Sequence, residues 1–390
     1  MHIKVAQRLQ HTEEYYFSKK LREIDEMNKR GAQVINLGIG SPDLPPHPSV
    51  IEVLEREAAK DNTHGYPGNY RGIPTLRQAM ADWYARYYQV ALNPATEILP
   101  LIGSKEGIMH ICMTYLQEGD EALVPNPGYP AYTSAVRIAG ATVVPYELTE
   151  ERGWLPDLDA LELRDLSKVK MMWINYPHMP TGALANKDFF EAIIAFGKKH
   201  NILICHDNPY SFILNEHPMS IFAAADAKEV AIELNSLSKS SNMAGWRIGM
   251  LIADENRINE ILRFKSNMDS GMFLPLQSAA ATALRLDSSW YTELNTVYAK
   301  RREKVFHIMD ILECDYDRSQ VGLFVWAKVP DKYPDGYALS DDILHQAHVF
   351  ITPGGIFGDA GKRYIRISLC ATEAVLENAI KRIETELKFV

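Results

Sequence analysis

The residues whose types and spacing most directly suggest chemistry are Asn235-Ser236-Leu237-Ser238-Lys239, followed by Gly245-Trp246-Arg247-Ile248-Gly249. They come directly after an apolar, β-branched run, where an open α/β sheet places its ligand crevice. A lysine amine beside two hydroxyls and an arginine suits a phosphorylated carbonyl cofactor. The amine can form a Schiff base while the hydroxyls and the guanidinium hold the phosphate. Taken alone, Ser-x-Ser-Lys reads as readily as an exposed lysine near a structural arginine. Two further segments carry candidate chemistry. Asp207-Asn208-Pro209-Tyr210 follows the apolar run Ile202-Cys205, and by itself Asp before Asn-Pro is also a common turn. Arg366 sits among the apolar residues of Tyr364-Ile365-Arg366-Ile367-Ser368, so it must find an anion or bear a desolvation penalty. A substrate carboxylate or an internal Asp or Glu would meet that need.

In this order, and over nearly the whole chain, these segments resemble the aspartate-aminotransferase superfamily of fold type I, class I/II pyridoxal-phosphate enzymes. The resemblance implies pyridoxal 5'-phosphate as cofactor. Lys239 matches the Schiff-base lysine, and Ser236, Ser238 and Arg247 match the phosphate ligands. Asp207 matches the aspartate paired with the pyridinium nitrogen, and Tyr210 the tyrosine that reaches the ring oxygen O3'. A carboxylate that holds the nitrogen protonated makes the ring an electron sink, which agrees with this role. Gly103-Ser104-Lys105-Glu106-Gly107 resembles the family's phosphate turn, where amides at a helix N-terminus bind the anion. Tyr129, in Pro127-Gly128-Tyr129-Pro130, stands where the family stacks an aromatic ring on the pyridine. Thr352-Pro353-Gly354-Gly355-Ile356-Phe357-Gly358 and the segment around Arg366 resemble the family's substrate-carboxylate anchor. Ile39 and Gly40, within Asn36-Leu37-Gly38-Ile39-Gly40-Ser41-Pro42-Asp43, resemble its substrate-covering loop. Tyr66 resembles the tyrosine sent to the partner subunit's phosphate, with Tyr70 as competitor, and either implies a homodimer with a shared active site.

The elements that must position these groups are legible as alternation. Candidate strands are Ile98-Ile102, Ala122-Val124, Thr142-Val144, Val169-Ile174, Ile202-Cys205, Val230-Leu234 and Ile248-Ile252. Amphipathic stretches such as Pro74-Tyr88, Lys187-His200 and Arg257-Met268 lie between them. Such alternation implies an α/β fold, a mostly parallel sheet with helices on both faces. From Gln277 the pattern predicts a long helical tract to about Cys314, then strands at Leu323-Ala327 and Tyr364-Leu369 around a helix near Asp341-His348. The expected organisation is therefore a large cofactor-binding domain over 48–280 and a small α+β domain over 281–390, joined by the N-terminal segment 1–47.

Composition narrows the function classes. At 46% hydrophobic and 23% charged the chain is ordinary globular material. With 41 basic against 50 acidic residues, the net charge of −9 disfavours nucleic acid. The one basic cluster, Lys300-Arg301-Arg302, reads as a solvated helix face. Four widely separated cysteines indicate neither disulfides nor a zinc site, so no metal is expected. No apolar stretch is long enough to span a bilayer, and the first residues lack the core of a signal peptide, so a cytoplasmic enzyme with no membrane partner is expected.

The expected activity is an aminotransferase that moves an amino group between an L-amino acid and a 2-oxo acid by a ping-pong mechanism, with Lys239 forming the Schiff base and then carrying the proton. A β-eliminating lyase on the same fold is the alternative, since fold does not fix function. A cofactor-binding regulatory protein would need an appended DNA-binding domain. Gly-Ser-Lys-Glu-Gly and Gly322-Leu323-Phe324-Val325-Trp326 resemble the branch containing LL-diaminopimelate and alanine aminotransferases, without naming the donor. One departure stands out in Asn175-Tyr176-Pro177-His178-Met179-Pro180-Thr181-Gly182: Met179 occupies the place of a family asparagine that donates to O3'. Methionine offers only a soft sulfur. His178 either substitutes for that donor or, as turn histidines commonly do, faces solvent.

Overall fold

A computed structural model describes residues 3–10 and 16–387. Its twelve strands are β1 (Ile35–Asn36), β2 (Ile98–Leu101), β3 (Glu121–Asn126), β4 (Thr142–Glu147), β5 (Val169–Asn175), β6 (Leu203–Asp207), β7 (Ala231–Ser236), β8 (Gly249–Ile252), β9 (Phe324–Lys328), β10 (Val349–Phe350), β11 (Thr352–Pro353) and β12 (Tyr364–Ser368). Seven of them form one sheet in the order β2-β8-β7-β6-β5-β3-β4, parallel except for β8, which runs antiparallel to both neighbours. The expected α/β class, with a mostly parallel sheet between helices, is what the chain adopts. All seven predicted strands are present, their ends shifted by at most three residues, the largest at β4, which runs on to Glu147.

Burial explains the strand composition. In β5 every residue except Lys170 is buried, the near-continuous apolar run of a strand covered on both faces. The helix Lys187–His200 is set by local chemistry. The Asn186 side chain caps its first turn by accepting from Phe189 N, basic residues fill its last turn, and Asn201 closes it in the left-handed conformation (φ 55°). Its apolar face, Phe189, Phe190, Ile193 and Ile194, packs on the sheet.

A second core lies around the three-stranded antiparallel sheet β11-β12-β9, against the helices Ser288–Ile311, Gly336–Ala347 and Glu373–Glu386. The N-terminal segment is tied to this region, because β1 pairs in parallel with β10.

Two expectations are corrected. The tract from Gln277 to Cys314 is not one helix but two, Leu274–Leu284 and Ser288–Ile311, because Asp287 interrupts it as an N-cap whose side chain accepts from Ser289 N. The basic cluster is not a solvated face either. Only Lys300 is exposed, whereas Arg301 is buried and held by both Asp43 carboxylate oxygens at 2.6 and 2.9 Å. Arg302 is half-buried, donating to Gln320 O at 3.2 Å with its guanidinium over the Phe306 ring. A triplet of charges on a helix spans three directions, and here only one of them points to water.

Candidate active site

The C-terminal ends of β5, β6 and β7 open onto a cavity of about 450 Å³, the position expected for a ligand in an open α/β sheet. Of the residues expected to bind cofactor or substrate, twelve line it: Ile39, Gly40, Ser104, Lys105, Tyr129, Asp207, Tyr210, Ser236, Ser238, Lys239, Arg247 and Arg366, whereas Gly103 is not among the lining residues.

Lys239 lies in the single helical turn Leu237–Ser240 that follows β7. The Ser236 hydroxyl caps that turn, accepting from Ser238 N at 3.1 Å and donating to Ile248 O at 3.2 Å. The Lys239 amine is largely enclosed and donates to Gly40 O at 2.5 Å. Burial pushes its pKa down, partly opposed by the nearby Cys370 thiol and assisted by the positive charges of Arg366 and Arg247.

Asp207 ends β6. Its Oδ2 accepts from the Tyr132 hydroxyl at 2.8 Å, and its main-chain oxygen accepts from Asn175 Nδ2 at 2.6 Å. Its Oδ1 is buried with no hydrogen-bond partner among the described residues. Burial lifts the carboxyl to about 6, with the Tyr132 hydrogen bond working against that rise. Tyr210, a turn further on, packs edge-on to Phe324, and burial raises its phenol pKa while the Arg366 charge lowers it.

Ser104 opens the helix Ser104–Tyr115 behind Gly103, whose φ of 88° is one that glycine adopts without penalty. A Cβ there would collide with the Arg247 guanidinium, so glycine also makes room for the cation. Arg247 itself has a left-handed backbone (φ 57°), and its Nη1 donates to Ala244 O at 2.7 Å. Hydroxyls, a helix N-terminus and a guanidinium thus converge where an anion would sit.

Arg366, from β12, sends Nη2 to Gly38 O at 2.8 Å and rests Nη1 against Met179 Sδ at 3.2 Å. Its guanidinium packs on the rings of Phe324 and Phe357, 3.8 and 4.6 Å from their centroids. Gly40 packs so closely on Phe324 that a Cβ would collide with the ring. The loop containing Ile39 and Gly40 is anchored from below by the Asp43–Arg301 pair.

Two expected residues lie elsewhere. Tyr66 is 86% exposed and Tyr70 43%, and neither lines this cavity. His178 is buried rather than solvent-facing. Its Nδ1 meets the Thr181 hydroxyl at 2.8 Å, burial lowers its pKa to about 3, and it does not line the cavity, whereas Met179 does. Tyr132 went unremarked in the sequence, and Asn175 figured there only as the first residue of the turn that holds Met179. Tyr132 follows Tyr129 by three residues, so both face one side of the helix that starts at Pro130.

The fit of pyridoxal phosphate can be judged on Asp207. A buried carboxylate oxygen without a donor calls for an N–H from a ligand, and a protonated ring nitrogen provides one. The amine of Lys239 and the anion site formed by Ser104, Ser238 and Arg247 share the same cavity, as a phosphorylated aldehyde requires.

Comparison with known proteins places this geometry in a class. Residues 32–383 match the family model described as aminotransferase class I and II. The chain is 40% identical over 383 residues to the LL-diaminopimelate aminotransferase of Dehalococcoides mccartyi strain 195, covering 98% of each chain. It is 40% identical over 371 residues to transaminase BacF of Bacillus subtilis, covering 94% of this chain and 92% of that one. The substrate-bound BacF structure superposes with a TM-score of 0.93 at 38% identity over 98% of both chains. The chain belongs to the class I and II aminotransferase family. It is a pyridoxal-phosphate-dependent aminotransferase.

Proposed function

We propose that this cavity transfers an amino group between an L-amino acid and a 2-oxo acid, with Lys239 as the group that moves the proton. The observation that carries this reading is convergence: the desolvated Lys239 amine, the partnerless Asp207 Oδ1 and the Arg366 guanidinium face one enclosed space. Bound there, pyridoxal phosphate supplies an electron-accepting ring that disperses the charge left when the amino acid's Cα loses its proton. Asp207 is the residue suited to hold the ring nitrogen protonated. Ser104, Ser236, Ser238, Arg247 and the Lys105 backbone are suited to the phosphate, Tyr129 to a ring face and Tyr210 to the ring oxygen.

Lys239 Nζ, with its pKa lowered by burial, has a neutral amine available as general base for the Cα proton. Arg366 anchors the α-carboxylate, and its contacts with the rings of Phe324 and Phe357 limit where its guanidinium can sit. The loop carrying Ile39 and Gly40, fixed through Asp43, excludes water from the reacting atoms. The exposed tyrosines, Tyr66 or Tyr70, reach the phosphate site of a second copy in a homodimer.

The test is a half-reaction. Holoenzyme mixed with amino acid in single turnover should release one 2-oxo acid per site, with a change in the cofactor's absorbance, and steady-state double-reciprocal lines should be parallel. Intersecting lines with no half-reaction would overturn transamination, and pyruvate with ammonia released from a β-substituted amino acid without an acceptor would assign a lyase. The donor panel begins with LL-diaminopimelate, for which several relatives are named, and includes apolar amino acids because Phe17, Leu21, Ile39 and Phe324 give the cavity apolar walls.

A further inference from the structure

The residue before Asp207 lies on the other side of the sheet. His206 and Glu233 are cross-strand partners in the parallel pair β6 and β7, and both are fully buried. The His206 Nδ1 is 2.8 Å from Glu233 Oε2, and its Nε2 is 2.9 Å from Tyr176 O, the residue just after β5. A carbonyl oxygen can only accept, so Nε2 carries a proton.

The proton between Nδ1 and Oε2 is placed by the other partners of the carboxylate. Glu233 Oε1 accepts from the Tyr84 hydroxyl at 2.6 Å, both oxygens lie 3.0 Å from the Ser220 hydroxyl, and Oε2 accepts from Ile221 N at 2.9 Å. Three donors besides the histidine favour the charged carboxylate and leave the proton on the ring. The titratable groups facing the pair are Tyr84, Tyr88 and Asp207.

We propose that His206 is a positioning residue held as an imidazolium, which pins the ends of β5, β6 and β7 together and keeps a positive charge directly behind Asp207. This rests on the reading that Asp207 serves the cofactor as an ionised carboxylate. The bracing is direct. His206 reaches Tyr176 and Glu233 on the two flanking strands, while Asn175 holds the Asp207 carbonyl. Burial is the largest influence lifting the Asp207 carboxyl, and the His206 charge is among those opposing it, with Glu233 adding to the rise.

Neutron diffraction from the wild-type holoenzyme tests the assignment without a variant. Deuterium on both ring nitrogens of His206 is the expected result, and a bare Nδ1 with the proton on Glu233 would overturn it. The second arm is His206→Asn, a neutral side chain that cannot donate to both partners. Its kcat/KM profile should shift its acidic limb upward by about one pH unit, roughly a tenfold loss near that limb. A variant with a lowered Tm and an unmoved profile would reduce His206 to a structural role and refute the electrostatic part. Absence of any half-reaction in the wild type would instead refute the aminotransferase reading, whatever the ring's protonation.

Discussion

The two faces of the β6–β7 pair bury polar groups to opposite ends. Behind the sheet, Glu233 has its carboxylate filled by donors from Tyr84, His206, Ser220 and Ile221. On the cavity face, Asp207 has one oxygen filled by Tyr132 and the other without a partner among the described residues. A satisfied buried network rigidifies what it touches, whereas a half-satisfied one raises the free energy of the fold and is kept where a ligand completes it. The arginines repeat the contrast. Arg301 is clamped by the Asp43 carboxylate, whereas the contacts of Arg366 include two phenyl rings, a carbonyl and a sulfur at the cavity wall.

The largest effect should come from Lys239→Ala. Turnover should fall by at least the ~10²–10⁴-fold associated with a general acid–base group, while phosphate contacts still retain cofactor. A fully active variant would end the assignment, and stopped-flow absorbance of the half-reaction decides it.

The two carboxylates should then part company. Glu233→Gln removes one partner of a buried ion pair and should destabilise the fold by ~3–5 kcal/mol. Asp207→Asn should instead stabilise the cofactor-free protein. Its folded pKa of about 6 lies above the 3.8 of an ordinary aspartate, so the ionised carboxylate opposes folding. The cost is full above about pH 6, on the order of 3 kcal/mol at most, and vanishes below about pH 4. The same substitution should cost several kcal/mol of transition-state stabilisation in the loaded enzyme. Paired thermal melts at pH 4 and 8 check the sign: an apo Asp207→Asn protein no more stable than wild type at pH 8 would mean that Asp207 is already satisfied.

Tyr132→Phe removes the hydroxyl that donates to Asp207 and should cost ~1.5–3 kcal/mol in kcat/KM, the range for a hydrogen bond to a charged group. It should also move the acidic limb of the pH profile upward, because that hydrogen bond lowers the Asp207 pKa. An unshifted limb would uncouple the two residues.

The smallest effect belongs to Met179→Asn. The sulfur now lies against Arg366 at the cavity wall. An amide there gains a donor toward the ring oxygen, and the pKa read from the holoenzyme's visible band should fall by about one unit, ~1.4 kcal/mol. An unmoved or raised value would show that another group already fills that place.

The alternation of β-branched runs with amphipathic stretches sufficed for the α/β class and for seven strands, because periodicity and burial are local properties of a segment. Lys239, Asp207, Tyr210, Arg247 and Arg366 stood out because the short motifs around them, in their order along the chain, resemble those of a known family, and a motif too is a local property of the sequence. What only the tertiary structure decided is pairing at long range. Arg301 and Asp43 are 258 positions apart, Tyr84 and Glu233 149, and Tyr132 and Asp207 75. A charge in a buried strand, such as His206 before Asp207 or Glu233 between Ile232 and Leu234, signals that a partner must exist. Which residue answers is set by how helices and strands pack around it, since a side chain's hydrogen bonds depend on distance and direction in space, and neither is written in the spacing along the chain.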